Sequence, residues 1–134
     1  MRSYFVDTWF FIARLDRADS HHGAARRLEA RLGFPTLVTH DGILTEVLSY
    51  FSGHGRKARL EASRVVRDVA EAMIAVPATR QLFIAGLALY EQRPDKEYSL
   101  VDCMSMTLMR ERGITHVLTN DHHFRQEGFT VVSE

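Results

Sequence analysis

The chain has 134 residues, 46% of them hydrophobic and 25% charged, a balance that excludes a disordered chain and fits one globular domain spanning 1–134. Its 17 Lys plus Arg balance 17 Asp plus Glu, so no global positive charge marks a nucleic-acid binder. One cysteine, Cys103, excludes an intramolecular disulfide and suits a reducing compartment.

The charge is uneven along the chain: residues 1–67 carry +4 and residues 68–134 carry −4. A basic side facing a phosphate chain and an acidic pocket for cations produce such an asymmetry, as does random scatter. An acid at position 7 comes too early for a signal peptide. The most apolar stretch, Leu82 to Tyr90, falls far short of the roughly 20 residues that span a bilayer. The expected location is the cytoplasm.

In chain order, Tyr4-Phe5-Val6 reads as a first strand and Thr8 to Leu15 as a helix. Ala24 to Leu32 has helical spacing and stops at Gly33-Phe34-Pro35. Thr36-Leu37-Val38 reads as a second strand. Ile43, Leu44, Val47, Leu48 and Phe51 form a helical stripe ended by Gly53-His54-Gly55. Arg56 to Ala72 reads as a charged helix with Leu60, Val65, Val66 and Val69 inward. Met73 to Val76 reads as a third strand, closed by Pro77. Thr79 to Tyr90 is apolar nearly all round and is expected to be well buried. Leu100 to Arg112 is a helix closed by Gly113, followed by strands at His116 to Leu118 and Phe129 to Val132. Short strands alternating with helices predict an α/β domain with a parallel sheet. Its site then lies outside the carboxyl ends of the strands, where the strand order reverses.

Four acids sit where such a sheet places chemistry. Asp7 follows the first strand, and Asp121 follows the fourth within Thr119-Asn120-Asp121. Glu46 lies one turn into the helix after the second strand, and Asp102 in the first turn of the helix entering the fourth. Each has a plainer reading. Asp7 can cap the next helix, and Ser99-Leu100-Val101-Asp102 fits a capping box. Glu46 can be a solvated helix residue and Asp121 a turn residue. Jointly they are harder to dismiss. Asp102 stands among Leu100, Val101, Cys103 and Met104, a poor setting for a surface acid. Gly42 and Ser49 beside Glu46 are small enough for a ligand to approach. Carboxylates converging in a cleft repel one another, and a divalent cation relieves that repulsion. Oxygen donors of this kind suit Mg²⁺ or Mn²⁺.

These motifs resemble a PIN domain, and within that family the VapC-type ribonuclease toxins of bacterial toxin–antitoxin systems. The anchors are Val6-Asp7-Thr8, Thr45-Glu46-Val47, Ser99-Leu100-Val101-Asp102, and Leu118-Thr119-Asn120-Asp121-His122-His123-Phe124. The resemblance implies a three-layer α/β/α fold with a five-stranded parallel sheet in the order 3-2-1-4-5. It implies an endoribonuclease that cleaves single-stranded or looped RNA by metal-activated water, with Mg²⁺ or Mn²⁺ on Asp7, Glu46, Asp102 and Asp121. Thr8, and Thr119 or Asn120, take the supporting positions. It also implies a small antitoxin partner and a homodimer. Trp9-Phe10-Phe11 and the His122-His123 doublet depart from the family pattern.

Substrate-binding candidates are Arg56, Arg59 and Arg67, near one helical face, and His122. A solvated helix face is the plainer reading of the arginines. His21-His22, His40 and His122-His123 lack paired zinc-ligand spacing and read as loop or cap residues. His122 or His123, beside Asp121, is the exception placed for substrate or metal contact. Trp9, Phe10 and Phe11 are read as core in preference to base-stacking platforms. The alternative function is a non-catalytic PIN-fold module that binds RNA or protein. A phosphoacceptor domain is disfavoured because Asp7 lacks an adjacent acid and no lysine follows Lys96. A dinucleotide binder is disfavoured because no Gly-x-Gly-x-x-Gly follows the first strand.

Overall fold

The computed structural model describes residues 2–133. Five strands form one sheet in the order β3-β2-β1-β4-β5: β1 Ser3–Val6, β2 Thr36–His40, β3 Ile74–Val76, β4 His116–Leu118 and β5 Thr130–Val132. Every pairing is parallel, with Phe5 opposite Val38 on one side and Val117 on the other. Parallel strands need crossovers, and the helices that supply them cover both faces of the sheet in an α/β/α sandwich. The architecture and strand order agree with those implied by the sequence.

The carboxyl halves of β1 and β4 are apolar without alternation, as a sheet covered on both faces requires. Phe5, Val6, Val117 and Leu118 are fully buried. Around them pack α1 Thr8–Leu15, α2 His22–Leu32, α3 Asp41–Phe51 and α4 Arg56–Ala72 as one connected group. Helices α5, Arg80–Gln92, and α6, Leu100–Arg112, pack tightly on each other. A Cβ at Gly86 of α5 would stand 2.6 Å from Met104 Cγ and 3.0 Å from the Met104 nitrogen, so glycine is what permits this approach. Gly113 ends α6 in the left-handed conformation at φ 67°.

Several expectations are corrected. α2 begins at His22, two residues before the apolar spacing starts. A one-turn helix, α7 His123–Gln126, was not foreseen; four residues carry no periodicity to read. α5 is only half covered: Leu82, Gly86 and Leu89 face the core, while Ile84 and Tyr90 are 48% and 50% exposed. A helix apolar all round does not reveal which face finds a partner. In α4 Leu60 is 54% exposed, and the inward positions are Ala62 and Val69, with Val65 and Val66 partly buried. Among the described residues no helix is long and apolar enough to cross a membrane.

Candidate active site

Strand β1 lies between β2 and β4, so the strand order reverses beside its carboxyl end, where a parallel sheet leaves a crevice. Asp7 leaves β1 there, its backbone N–H bonded to the Leu118 carbonyl at the end of β4. Asp7 occupies the position before α1 but makes no side-chain cap hydrogen bond, so the capping role fails. Its carboxylate turns instead into the crevice, where it is buried and Oδ2 accepts a 2.8 Å hydrogen bond from Thr119 Oγ1. Burial pushes its pKa up to about 7, the charges of Asp102 and Glu46 add to the rise, and the Thr119 hydroxyl opposes it.

Glu46 reaches the same crevice from the second turn of α3. Its Oε1 accepts a 2.5 Å hydrogen bond from Thr8 Oγ1 on α1. Partial burial raises its pKa; the Thr8 hydrogen bond opposes that rise and the charge of Asp102 adds to it. The small residue at position 42 does not open a path for a ligand, as the sequence had suggested. A Cβ there would stand 2.7 Å from His40 Cε1, so the glycine makes room for an imidazole.

Asp102 does form the capping box of α6: Ser99 Oγ accepts from the Asp102 N–H and Asp102 Oδ2 accepts from the Ser99 N–H, both at 3.0 Å. A carboxylate offers about four lone-pair positions, so the cap leaves acceptor capacity for the crevice. Burial raises its pKa, the cap hydrogen bond opposes, and the charge of Asp121 raises it further. The cap is formed, and it leaves this carboxylate at the crevice.

Asp121 is placed by the turn after β4. Its N–H donates to Thr119 Oγ1 at 3.1 Å, and its Oδ1 accepts from the His123 N–H at 2.9 Å. Asp102, Asp121 and His123 each offer a ligand atom within 4.8 Å of the others. The four acids thus form one electrostatically coupled group drawn from four separate segments. Three buried or half-buried carboxylates with raised pKa values are a poor apo arrangement and a good cation cradle. The hard oxygen donors and a buried, unbonded His123 Nδ1 beside them fit a divalent ion.

The supporting positions sort clearly. Thr8 and Thr119 contact Glu46 and Asp7, whereas Asn120 is exposed. Of the histidine doublet, His122 is exposed and His123 faces the acids. Arg56, Arg59 and Arg67 stay exposed on α4, with Arg59 held by the Ser52 carbonyl, and are not brought to the acids. Phe10 and Phe11 belong to the core, and Trp9 packs edge-on to His21.

Two supports go beyond the sequence reading: His40, read there as a loop or cap residue, also finds a partner in α6, and Glu127 was missed. His40 caps α3: its Nδ1 accepts from the Gly42 N–H at 3.0 Å, and its Nε2 bonds Ser105 Oγ of α6 at 2.9 Å. Ser105 in turn donates to the Val101 carbonyl, which places the imidazole proton on Nε2. Burial lowers the His40 pKa to about 4. The second is Glu127. Burial alone would raise its pKa, but hydrogen bonds from Arg93, Arg110 and Tyr98 hold it at about 2. Residues 93, 98, 110 and 127 carry no spacing signal that would announce this cluster.

The chain matches the PIN domain family over residues 4–129. It belongs to that family. Among curated PIN relatives, it is 31% identical over 131 residues to a 23S rRNA-specific endonuclease, VapC20 of Mycobacterium tuberculosis, covering 96% of both chains. The crystal structure of that VapC20, described as a Sarcin-Ricin loop cleaving toxin, superposes with a TM-score of 0.87 at 28% identity over 98% of this chain and 99% of the other. DNA-bound VapBC from Salmonella typhimurium shares the PIN fold, with a TM-score of 0.70 at 17% identity over 98% of each chain.

Proposed function

We propose that this PIN domain is a metal-dependent endoribonuclease, the toxin of a toxin–antitoxin pair, acting on single-stranded or looped RNA. The observation that carries the reading is the convergence of acids beside the carboxyl ends of β1 and β4: Asp102 and Asp121 place ligand atoms within 4.8 Å of each other, and Thr119 ties Asp7 to the Asp121 turn. The 31% identity to a 23S rRNA endonuclease across nearly the whole chain supports it and makes looped ribosomal RNA the first substrate to test.

Asp7, Asp102 and Asp121 would hold Mg²⁺ or Mn²⁺, with Glu46 as a further donor. An ion held there would supply a lowered pKa for bound water and would stabilise charge on the phosphate and leaving oxygen. The protein's part is positional. Thr119 holds Asp7 Oδ2 so that the ionised carboxylate keeps one orientation, and the same hydroxyl fixes the Asp121 turn. Thr8 holds Glu46, and Ser99 holds Asp102 through the cap. Cleavage would leave 5′-phosphate and 3′-hydroxyl ends.

The antitoxin would place a side chain in the acidic pocket, where a cationic group meets complementary charge. The outer face of α5, with Ile84 and Tyr90 half-exposed, suits a second copy of the chain. A reducing cytoplasm suits the lone, buried Cys103.

The test is cleavage of a ribosomal RNA stem-loop by the purified chain in Mg²⁺ or Mn²⁺, with end-mapping of the products. Activity should vanish with EDTA and in Asp7→Asn and Asp102→Asn. Undiminished cleavage in chelator, or in either variant, refutes the assignment.

A further inference from the structure

His123 opens α7 at the edge of the acidic crevice, and its imidazole is held from outside that crevice. Tyr98 meets the ring edge-on, with centroids 5.4 Å apart. Tyr98 is itself fixed by a 2.9 Å hydrogen bond from its hydroxyl to Glu127 Oε2, within the Arg93–Glu127–Arg110 cluster. His122 covers the ring on another side, with centroids 4.9 Å apart. The ring is therefore held by aromatic neighbours on its outer side and by the Asp121 turn, whose Oδ1 accepts from the His123 backbone N–H at 2.9 Å.

What these contacts aim is Nδ1. This atom is wholly buried and has no hydrogen-bond partner. It lies 3.2 Å from Asp121 Oδ1 and 3.6 Å from Asp102 Oδ2, with the side chain 18% exposed. Proximity to two carboxylate oxygens without hydrogen-bond geometry leaves the nitrogen unsatisfied, which a folded chain rarely tolerates without a reason. A cation among the three atoms supplies one. Around a six-coordinate ion with bonds of about 2.1 Å, adjacent ligand atoms stand about 3 Å apart. The two separations from Nδ1, 3.2 and 3.6 Å, lie close to that spacing.

We propose that His123 Nδ1 is a direct ligand of the divalent ion held by Asp102 and Asp121. The inference rests on the metal-dependent reading above and deepens it. A nitrogen ligand among carboxylates weakens the fit to Mg²⁺, which is bound through oxygen, relative to a first-row transition ion such as Mn²⁺. The site then discriminates between the two ions more strongly than four carboxylates alone.

The test is Mn²⁺ binding to the full chain without RNA, followed by electron paramagnetic resonance. Pulsed spectra of the wild type should show coupling to a directly bonded ¹⁴N that converts to the ¹⁵N pattern when histidine is ¹⁵N-labelled. That measurement needs no variant and so does not depend on a variant's folding. In His123→Ala the coupling should vanish and Mn²⁺ affinity should fall about tenfold or more, with Mg²⁺ affinity, measured by competition, falling less. Mn²⁺ bound in wild type and lost in Asp102→Asn, but without nitrogen coupling, overturns the His123 assignment while the metal site stands. No Mn²⁺ binding by the wild type overturns both.

Discussion

Thr119 Oγ1 donates a 2.8 Å hydrogen bond to Asp7 Oδ2 while accepting a 3.1 Å bond from the Asp121 N–H. A single hydroxyl at the end of β4 thus ties the first acid to the loop that carries the last. Thr119→Val keeps the shape and removes both bonds. A hydrogen bond to an ionised group is worth about 1.5–3 kcal/mol, or roughly one to two pH units at 1.36 kcal/mol each. Asp7, already at about 7, should then ionise at still higher pH. A bound divalent ion itself keeps Asp7 ionised, so the shift is read in ion binding: the pH dependence of Mn²⁺ affinity should move alkaline by about one unit. Thr119→Ser should restore it. An unmoved profile in the valine variant refutes the link.

Asp7 also predicts a conflict between stability and function. Its folded pKa is raised from 3.8 to about 7. Between those values the folded chain keeps a proton that the unfolded chain releases. Stability without metal therefore declines as pH climbs through that window, and the full cost is present above pH 7. Asp7→Asn removes the cost. In EDTA at pH 8 this variant should be more stable than wild type by about 1–3 kcal/mol in urea denaturation, an activity-for-stability exchange. The advantage should shrink toward pH 4. A less stable Asp7→Asn at pH 8 contradicts the origin assigned to the raised pKa.

His40 acts with the opposite sign. Its folded pKa is lowered from 6.5 to about 4, so between those values the unfolded chain binds a proton that the folded chain refuses. Stability is lost as pH falls through that range, by about 3 kcal/mol from this group alone. In wild type the Asp7 contribution grows over the same range and masks the loss. Asp7→Asn should unmask it as a steep acid limb, and adding His40→Asn should flatten that limb. Ser105→Ala leaves His40 Nε2 unpaired and should cost about 1–3 kcal/mol. Because His40 joins the start of α3 to α6, Ser105→Ala should also weaken divalent-ion binding through Glu46 and Asp102. If metal affinity is unchanged, His40 and Ser105 are structural only.

Much of this was legible because two periodicities carry it. The apolar runs of β1 and β4 and the stripe of α3 fix the sheet and its crossovers, and with them the crevice beside Asp7. What stayed hidden depends on contacts between distant segments. The His40 ring is buried because Gly42 lacks a side chain and Ser105 offers a hydroxyl from 65 residues away. The doublet His122-His123 could not be resolved because the turn at Asp121, not the spacing, decides which ring faces inward. The exposed face of α5 was invisible because both faces are apolar.

Gly86 offers a test of how rigidly α6 presents Asp102. Alanine is favoured over glycine inside a helix by about 1 kcal/mol, so on propensity alone Gly86→Ala stabilises α5. Its Cβ would stand 2.6 Å from Met104 Cγ, 3.0 Å from Met104 N and 3.1 Å from Met104 Cα. The side-chain atom can swing away, but the two backbone atoms belong to α6 and cannot move without the helix. Overpacking of this kind costs about 1–3 kcal/mol, which outweighs the propensity gain. Gly86→Ala should lower the melting temperature. Met104 is two residues from Asp102, so a shift of α6 also displaces the carboxylate from Asp7 and Asp121. Divalent-ion affinity should therefore fall even where the variant remains folded. A variant with raised melting temperature and full metal affinity would mean that α5 and α6 separate freely, and that the position of Asp102 is set by its cap alone.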